Sequence, residues 1–130
     1  MKAHLLNKIL DEGSLEKIQE AIKGKYELLW MRDIDSVNIS HDIVVVVYPI
    51  NDEEVQSVNE AIVSCGAAGL KVVAVYLENI GGIPEEIEVC GYASFPVTSS
   101  RVDDLADGES VWEKPDGTEA EYKDIKRNRC

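Results

Sequence analysis

The sequence predicts an α/β fold: a three-layer, doubly wound domain with a mostly parallel sheet of about five strands. Two observations carry this prediction. Short, continuous runs of β-branched residues, "DIVVVV" (42–47) and "KVVAVYL" (71–77), are typical of strands that are buried on both faces. Amphipathic stretches with apolar residues at helical spacing alternate with these runs and would cover both faces of the sheet.

The first half of the chain predicts the order strand, helix, strand, strand. The first strand is expected over residues 3–8, although the apolar residues there also fit a helix. "GSLEKIQEAIKG" (13–24) predicts a short helix that Ser14 caps. "KYELLWM" (25–31) predicts the second strand, and "HDIVVVVY" (41–48) predicts the third and strongest one.

The second half predicts helices that alternate with two further strands. A helix is expected from Asn51 to about Cys65, with Asn51 as its cap and Glu54 completing a capping box three residues later. Val55 and Val58 belong to the apolar stripe of this helix. The remaining elements are a strand over 71–77, a short helix over 83–91, a strand over 92–97 and a short helix over 100–107.

The length of 130 residues suits one domain. Residues 1–110 are expected to form a single α/β domain, and residues 111–130 a polar C-terminal segment that packs on it or extends from it. Trp112 is expected to anchor this segment, because an aromatic residue in a polar stretch usually covers an apolar surface. The basic end "KDIKRNRC" (123–130) either folds onto the acidic body or docks to a partner, which includes a second copy of the chain.

The charge of the chain excludes several classes of partner. A net charge of −12 and a pI near 4.5 argue against binding to DNA, RNA or anionic lipid. No window of about 18 apolar residues occurs and the start lacks a signal peptide, so neither a membrane span nor secretion is expected. The three cysteines include no CxxC pair, and an odd count does not predict a disulfide framework. A cytoplasmic protein is therefore expected.

The residues that follow the predicted strands are mostly acidic. Ligands of open α/β sheets bind at this carboxyl edge, so the acids either line a site or serve as loop charges and partners of helix dipoles. The chain contains no GxGxxG, GxxxxGK[ST] or GxSxG motif. No Cys/His set and no spaced acidic pattern predicts a metal site.

The strand "DIVVVV" is followed by the loop and helix "YPINDEEVQSVNEAIVSCGAAG", the strand "LKVVAVYL" and the segment "IPEEI". This stretch, within residues 42–90, resembles the TIR and TIR-like domains and the nucleoside 2-deoxyribosyltransferase-like enzymes. The resemblance implies a flavodoxin-like or TIR-like sheet and action on the N-glycosidic bond of NAD or a nucleotide, in nucleotide signalling or defence. It implies no bound cofactor, since NAD would be the substrate.

In these families a glutamate on the helix after the third strand handles the ribose, and by position it falls on Glu60. The resemblance therefore implies Glu60 as the catalytic carboxylate, with the rim residues Asn51, Asp33 and Ser99 as ribose contacts. The residues themselves leave an alternative, because Glu54 lies nearer the strand end and the apolar stripe. On a helical wheel Glu60 points away from that stripe.

The order of elements is also similar to that of response-regulator receiver domains, with Asp11 and Glu12 as an acid pair after the first strand. Tyr48 stands where such a domain carries its phosphoryl-accepting aspartate, and Thr98 stands where it carries a lysine. This resemblance implies a non-catalytic module that binds protein partners. It is the alternative to a nucleotide-cleaving enzyme.

Overall fold

A computed structural model of the chain describes residues 1–7, 12–22, 24–109 and 111–120. Its centre is a sheet of five parallel strands in the order β2-β1-β3-β4-β5. The strands are β1 (Lys2–Leu5), β2 (Glu27–Trp30), β3 (Ile43–Tyr48), β4 (Val72–Tyr76) and β5 (Ala93–Pro96). This sheet confirms the predicted fold class, and its strand order is the flavodoxin-like one. The basic end over 123–130 and Asp11 lie outside the described residues.

Helices cover both faces of the sheet. They are α1 (Glu12–Ile22), α2 (Val55–Ala67), α3 (Glu85–Cys90) and α4 (Val102–Ala106), with a 3-10 helix at Ile34–Ser36. The buried residues of α1 and α4 form the core layer on one face, and those of α2 and α3 form the layer on the other. Among the described residues, no helix has the length and apolar character needed to cross a lipid bilayer.

The valine run of β3 contributes to both core layers in turn. Val45 and Val47 lie in the α1/α4 layer and Val44 and Val46 in the α2/α3 layer, and each is at most 2% exposed. The alternation follows from the two-residue period of a strand. A continuous apolar run is needed because neither face of β3 meets water.

The two edges of the sheet differ. Beside β5, residues 111–113 run parallel to the strand: Ser94 N–H donates to Val111 O, and Glu113 N–H donates to Ser94 O, both at 2.9 Å. Trp112 on this segment is fully buried in the α2/α3 layer, which confirms its expected role as an anchor. At the opposite edge, β2 has no strand beyond it in the described part of the chain.

Two helix starts differ from the sequence-based expectations. α1 begins at Glu12, whose charge suits a helix N-terminus, so Ser14 lies inside the helix rather than before it. α2 begins at Val55, with Glu54 as the N-cap residue and no side-chain cap. The predicted capping box is wrong, because Glu54 N–H donates to the backbone oxygen of Asn51 at 2.8 Å in a turn that precedes the helix. Val55 is therefore 38% exposed instead of facing the core.

Candidate functional site

The carboxyl ends of β1 and β3 lie side by side where the chain connections diverge. The chain passes from β1 to β2 on one side and from β3 to β4 on the other, which makes this the switch point where open sheets bind ligands. Asn7 follows β1 and is 6% exposed. Its Nδ2 donates to Val47 O at 2.8 Å, and Val47 N–H donates to its Oδ1 at 2.9 Å. The Asn7 amide is thus bound to β3 and forms a wall of the switch point.

A pocket of about 190 Å³ opens here, and we refer to it as the switch-point pocket. Its lining residues are Leu6, Asn7, Glu54, Ser57, Val58 and Ala61. Glu54 is half-buried and, in the part of the chain that the structure describes, is the only ionisable residue of this lining. Its carboxylate has no hydrogen-bond or ion-pair partner among the described residues. Within the described residues, Glu54 therefore brings to this lining a carboxylate that makes no structural contact.

The local backbone explains why this carboxylate is not a helix cap. Glu54 has φ −104° and ψ −8°, whereas a capping side chain usually belongs to an extended residue. The Glu54 carbonyl oxygen accepts hydrogen bonds from Ser57 Oγ at 3.0 Å and from Val58 N–H at 2.9 Å. The start of α2 is therefore fixed by backbone groups and Ser57, and the Glu54 carboxylate takes no part in capping the helix.

Glu60 lies outside the switch-point pocket. Its side chain is exposed, and its Oε1 accepts a hydrogen bond from Gln56 Nε2, one turn earlier on α2, at 3.3 Å. Val58 and Ile62, two positions away on either side, are only 6% and 0% exposed. Glu60 is therefore carried on the solvent-facing side of α2.

The other predicted site residues do not gather around Glu54. Asp33 is exposed and caps the 3-10 helix, its Oδ1 accepting a backbone N–H at 2.9 Å. Asn51 is exposed and accepts from Glu54 N–H through its backbone oxygen. Ser99 Oγ accepts from Arg101 N–H at 3.1 Å. Glu54 is thus the one predicted residue that lines the switch-point pocket.

Ser99 lines a larger concavity on the other face of the sheet, which we call the β5 groove. It measures about 520 Å³ and is lined by Lys17, Glu20, Ala21, Leu77, Val97, Thr98 and Ser99. Leu77 and Val97 are partly buried against the α1/α4 layer, so an apolar floor meets a polar rim. A lining and volume of this kind are typical of small-molecule sites.

A buried polar pair near the amino end of the sheet has no counterpart in the sequence-based predictions. His4 Nε2 lies 2.9 Å from Asp42 Oδ2, and the two residues are 2% and 6% exposed. Asp42 also accepts from the backbone N–H groups of Lys2 and Asn38, each at 3.0 Å. Burial opposes the charge, but the bond from His4 and the two N–H groups outweigh it and hold the pKa of Asp42 below its ordinary 3.8. Only strand register brings the pair together, so no local pattern signals it.

The described residues contain neither a cluster suited to a metal ion nor a reactive thiol. No group of His, Cys, Asp or Glu among them could hold a metal ion. Cys65 is free but buried in the α2/α3 layer, and burial raises the pKa of its thiol. Cys90 is disulfide-bonded, which the odd cysteine count did not predict.

The candidate site is therefore defined by the positions of its own residues. Glu54, which lines the switch-point pocket, is its candidate reactive residue. The likeness of residues 42–90 to TIR-like and deoxyribosyltransferase-like proteins stays a prediction from sequence motifs. Comparisons of the chain with protein family models, with curated proteins and with solved structures give no match.

Proposed function

We propose that this chain cleaves the N-glycosidic bond of a nucleotide, with NAD as the leading substrate, and that Glu54 is the catalytic carboxylate. The observation that carries the proposal is the half-buried Glu54 carboxylate in the switch-point pocket, which has no partner among the described residues. Glu60, on the exposed side of α2, does not line that pocket. The proposal keeps the reaction that the resemblance implies and moves the acid six residues towards the amino terminus.

A carboxylate beside C1′ of a ribose can support this reaction in two ways. It stabilises the positive charge that develops at C1′ as the bond to the base breaks, or it attacks C1′ and forms an ester that water then cleaves. In both cases the bonding electron pair leaves with the base, and water supplies the hydroxyl group that ends on C1′. A partly buried carboxylate acts more strongly on a nearby cation than one in bulk water.

The pocket lining favours a substrate whose base leaves without a proton. Glu54 is the only ionisable residue among the described residues of the lining, so none of these offers a second carboxylic acid to protonate a leaving base. The nicotinamide of NAD is cationic at its glycosidic nitrogen and departs as a neutral molecule. Asp52 and Glu53, both exposed beside Glu54, also favour such a cation over a bare anion.

The size of the switch-point pocket indicates which part of the substrate it takes. Its volume of about 190 Å³ is below the range of about 300–1,000 Å³ that is usual for a whole ligand. The ribose occupies this pocket in our proposal, and the rest of the nucleotide extends along the carboxyl edge of the sheet. Truncated substrates that keep the ribose and the nicotinamide are therefore expected to react.

Incubation of the full chain with NAD and a nucleoside panel, followed by chromatography of nicotinamide and free base, tests the proposal. Glu54→Gln is expected to lower kcat/KM at least about 100-fold, because an amide neither carries the charge nor attacks C1′. Glu60→Gln makes the same change on the solvent-facing side of α2, and this control is expected to keep wild-type activity. Activity that survives Glu54→Gln, or that Glu60→Gln abolishes, contradicts the assignment. No turnover of any substrate at any protein concentration contradicts the enzymatic function.

A non-catalytic binding or assembly module, TIR-like or receiver-like, is the second candidate function. It is favoured by Trp30, which is 50% exposed at the open edge of the sheet. It is also favoured by the position of Asp33, Asn51 and Ser99 away from the switch-point pocket. Such a module acts through protein contacts and leaves Glu54 dispensable. A chain without turnover, in which Glu54→Gln leaves binding to a protein partner unchanged, supports this alternative.

A further inference from the structure

β2 presents an unpaired strand edge. The N–H groups of Glu27 and Met31 donate to the backbone oxygens of Met1 and Leu5 at 2.9 and 3.0 Å, so these residues direct their backbone groups towards the β1 side. Backbone groups alternate in direction along a strand, and Leu28 and Trp30 therefore direct their N–H and C=O groups away from the sheet. No strand covers these groups within the residues that the structure describes.

The open edge is also apolar. Trp30 is 50% exposed, Leu28 and Leu29 are half-buried, and Glu27 at the first position is the only charge on the strand. Natural edge strands are usually blunted by lysine, proline or an inward-pointing charge, because a bare edge templates pairing with another strand. The opposite edge of this sheet is covered by residues 111–113. β2 is thus the edge suited to pairing.

We propose that β2 pairs antiparallel with β2 of a second copy of this chain, related by a twofold axis at Leu29. In this register Leu28 lies opposite Trp30 of the second copy, and the two residues exchange both N–H···O bonds. Leu29 lies opposite Leu29 of the second copy. The two form a non-hydrogen-bonded pair, with Cα atoms about 4.5 Å apart. Every outward backbone group of the two strands is satisfied, and the five strands of each copy join in one continuous sheet.

The side chains of β2 complement a second copy in this register. Leu28 and Trp30 are two positions apart and point to the same face of the sheet. Each indole therefore packs on Leu28 of the other copy, and such aromatic–aliphatic pairs across strands stabilise a sheet. On the opposite face, the two Leu29 side chains cover each other at the axis. The exposed surface of Trp30 is removed from water in the dimer.

The charges that flank β2 favour this register over a shifted one. It places Glu27, the one charged residue of the strand, opposite the apolar Met31 of the second copy. A twofold axis at Trp30 would instead place Glu27 opposite Asp33, and like charges that face each other destabilise a strand pair. The occupant that fits this edge is therefore β2 of a second copy, because Leu28 and Trp30 then cover each other and Glu27 meets no like charge.

Sedimentation equilibrium of the full chain over a wide concentration range tests this proposal. The wild-type chain is expected to dimerise. Leu29→Lys places two ammonium groups opposite each other and removes two apolar contacts, so it is expected to raise the Kd more than about tenfold. Val63→Lys changes a residue on α2 that is 47% exposed, and this matched control is expected to keep the wild-type Kd. Circular dichroism of both variants shows whether the protomer is folded.

A cysteine variant gives a second readout. Leu29→Cys brings two thiols within disulfide-forming distance across the axis, so mild oxidation is expected to yield more covalent dimer than the wild type. Val63→Cys is expected to yield no more than the wild type. A monomer at every concentration, an unchanged Kd in Leu29→Lys, or equal cross-linking of the two cysteine variants overturns the proposal. The interface contains no residue of the switch-point pocket, so its failure is distinct from a failure of the proposed catalysis.

Discussion

The side-chain amide of Asn7 makes the two hydrogen bonds to Val47 that a backbone residue would make in a longer β1. Leu6 N–H donates to Val45 O at 2.9 Å, and Asn7 Nδ2 and Oδ1 then bond to Val47 O and N at 2.8 and 2.9 Å. The backbone of Asn7 is therefore free to leave the sheet while the ladder to β3 continues. Asn7, whose side chain takes the place of a backbone residue in the ladder, forms one wall of the switch-point pocket.

Asn7→Ala is expected to destabilise the chain by about 2–4 kcal/mol, because it leaves the buried N–H and C=O groups of Val47 without partners. Urea unfolding followed by circular dichroism measures the change in the free energy of unfolding. Asn51→Ala alters an exposed asparagine at the same edge of the sheet and is expected to stay within about 0.5 kcal/mol of the wild type. Equal losses in both variants would contradict the role given to the Asn7 amide.

Asp42→Asn is expected to flatten the acid side of the stability–pH curve. Burial opposes the charge of Asp42, but hydrogen bonds from His4, Asn38 and Lys2 outweigh it and hold the pKa below 3.8 in the folded state. A carboxyl group whose pKa is lowered by folding contributes stability above its unfolded pKa and loses it as pH falls through the folded value. The wild-type chain therefore loses this contribution as the pH falls below about 4.

Urea unfolding midpoints, recorded from neutral to acid pH, measure this effect. At neutral pH, Asp42→Asn is expected to lower the free energy of unfolding by about 1–3 kcal/mol, because hydrogen bonds to a charged acceptor become neutral ones. His4→Gln leaves Asp42 bonded to two backbone N–H groups. This variant is therefore expected to keep part of the loss of stability at acid pH. If the curves of wild type and Asp42→Asn run parallel, Asp42 is not the group that titrates.

The parallel sheet could be predicted because its signal is local. β3 and β4 are short, rich in β-branched residues and buried at every position, which suits only strands covered on both faces. The end of β1 could not be predicted in the same way. The strand expected over 3–8 stops at Leu5, because the Asn7 side chain replaces the backbone in the ladder. A side chain that imitates a strand residue leaves no periodic pattern to detect.

The candidate site could be predicted only in part, because it depends on where α2 begins. A start at Asn51 makes Glu54 a capping residue, whereas the observed start at Val55 leaves the Glu54 carboxylate uninvolved in capping, on a residue that lines the pocket. Residues 51–54 form a turn instead of the first turn of the helix, and a backbone hydrogen bond from Glu54 N–H to Asn51 O holds it. The residue types alone do not reveal this bond. The exposure of Glu60 could be predicted, since the apolar stripe fixes the orientation of the helix.

Tyr48→Phe is expected to extend stability into alkaline solution. Tyr48 is 6% exposed, its ring centroid lies 5.8 Å from that of Tyr76, and its hydroxyl has no partner among the described residues. Burial, together with nearby Glu86, raises the pKa of Tyr48 well above its ordinary 10. A phenol whose pKa is raised by folding contributes stability below its unfolded pKa, and that stability is lost as the pH rises above it.

The wild-type chain is therefore expected to lose stability from about pH 10 upwards, and Tyr48→Phe to lose less of it. At neutral pH the variant should be at least as stable as the wild type, because it removes a buried hydroxyl that has no described partner. Denaturant unfolding at about pH 8 and about pH 11 measures both effects. If the wild type and Tyr48→Phe lose equal stability at alkaline pH, groups other than Tyr48 cause the loss.

Gly91→Ala is expected to destabilise the junction between α3 and β5. A Cβ atom on Gly91 would lie 2.5 Å from Ile87 O and 3.0 Å from Ile87 Cγ2, and that same oxygen accepts Gly91 N–H at 2.8 Å. The oxygen belongs to the backbone of α3 and cannot rotate away as a side chain would. The substitution must move the helix end or break this bond, at an expected cost of about 1–3 kcal/mol.

Gly82→Ala is the matched control for Gly91→Ala. A Cβ atom on Gly82 would meet nothing within 4 Å, so alanine there mainly restricts the unfolded chain and is expected to stabilise by up to about 1 kcal/mol. Urea unfolding of both variants gives opposite signs if the contact with Ile87 is the cause. A similar change in both would instead assign the effect to backbone freedom in the unfolded state, because that freedom is the property the two glycines share.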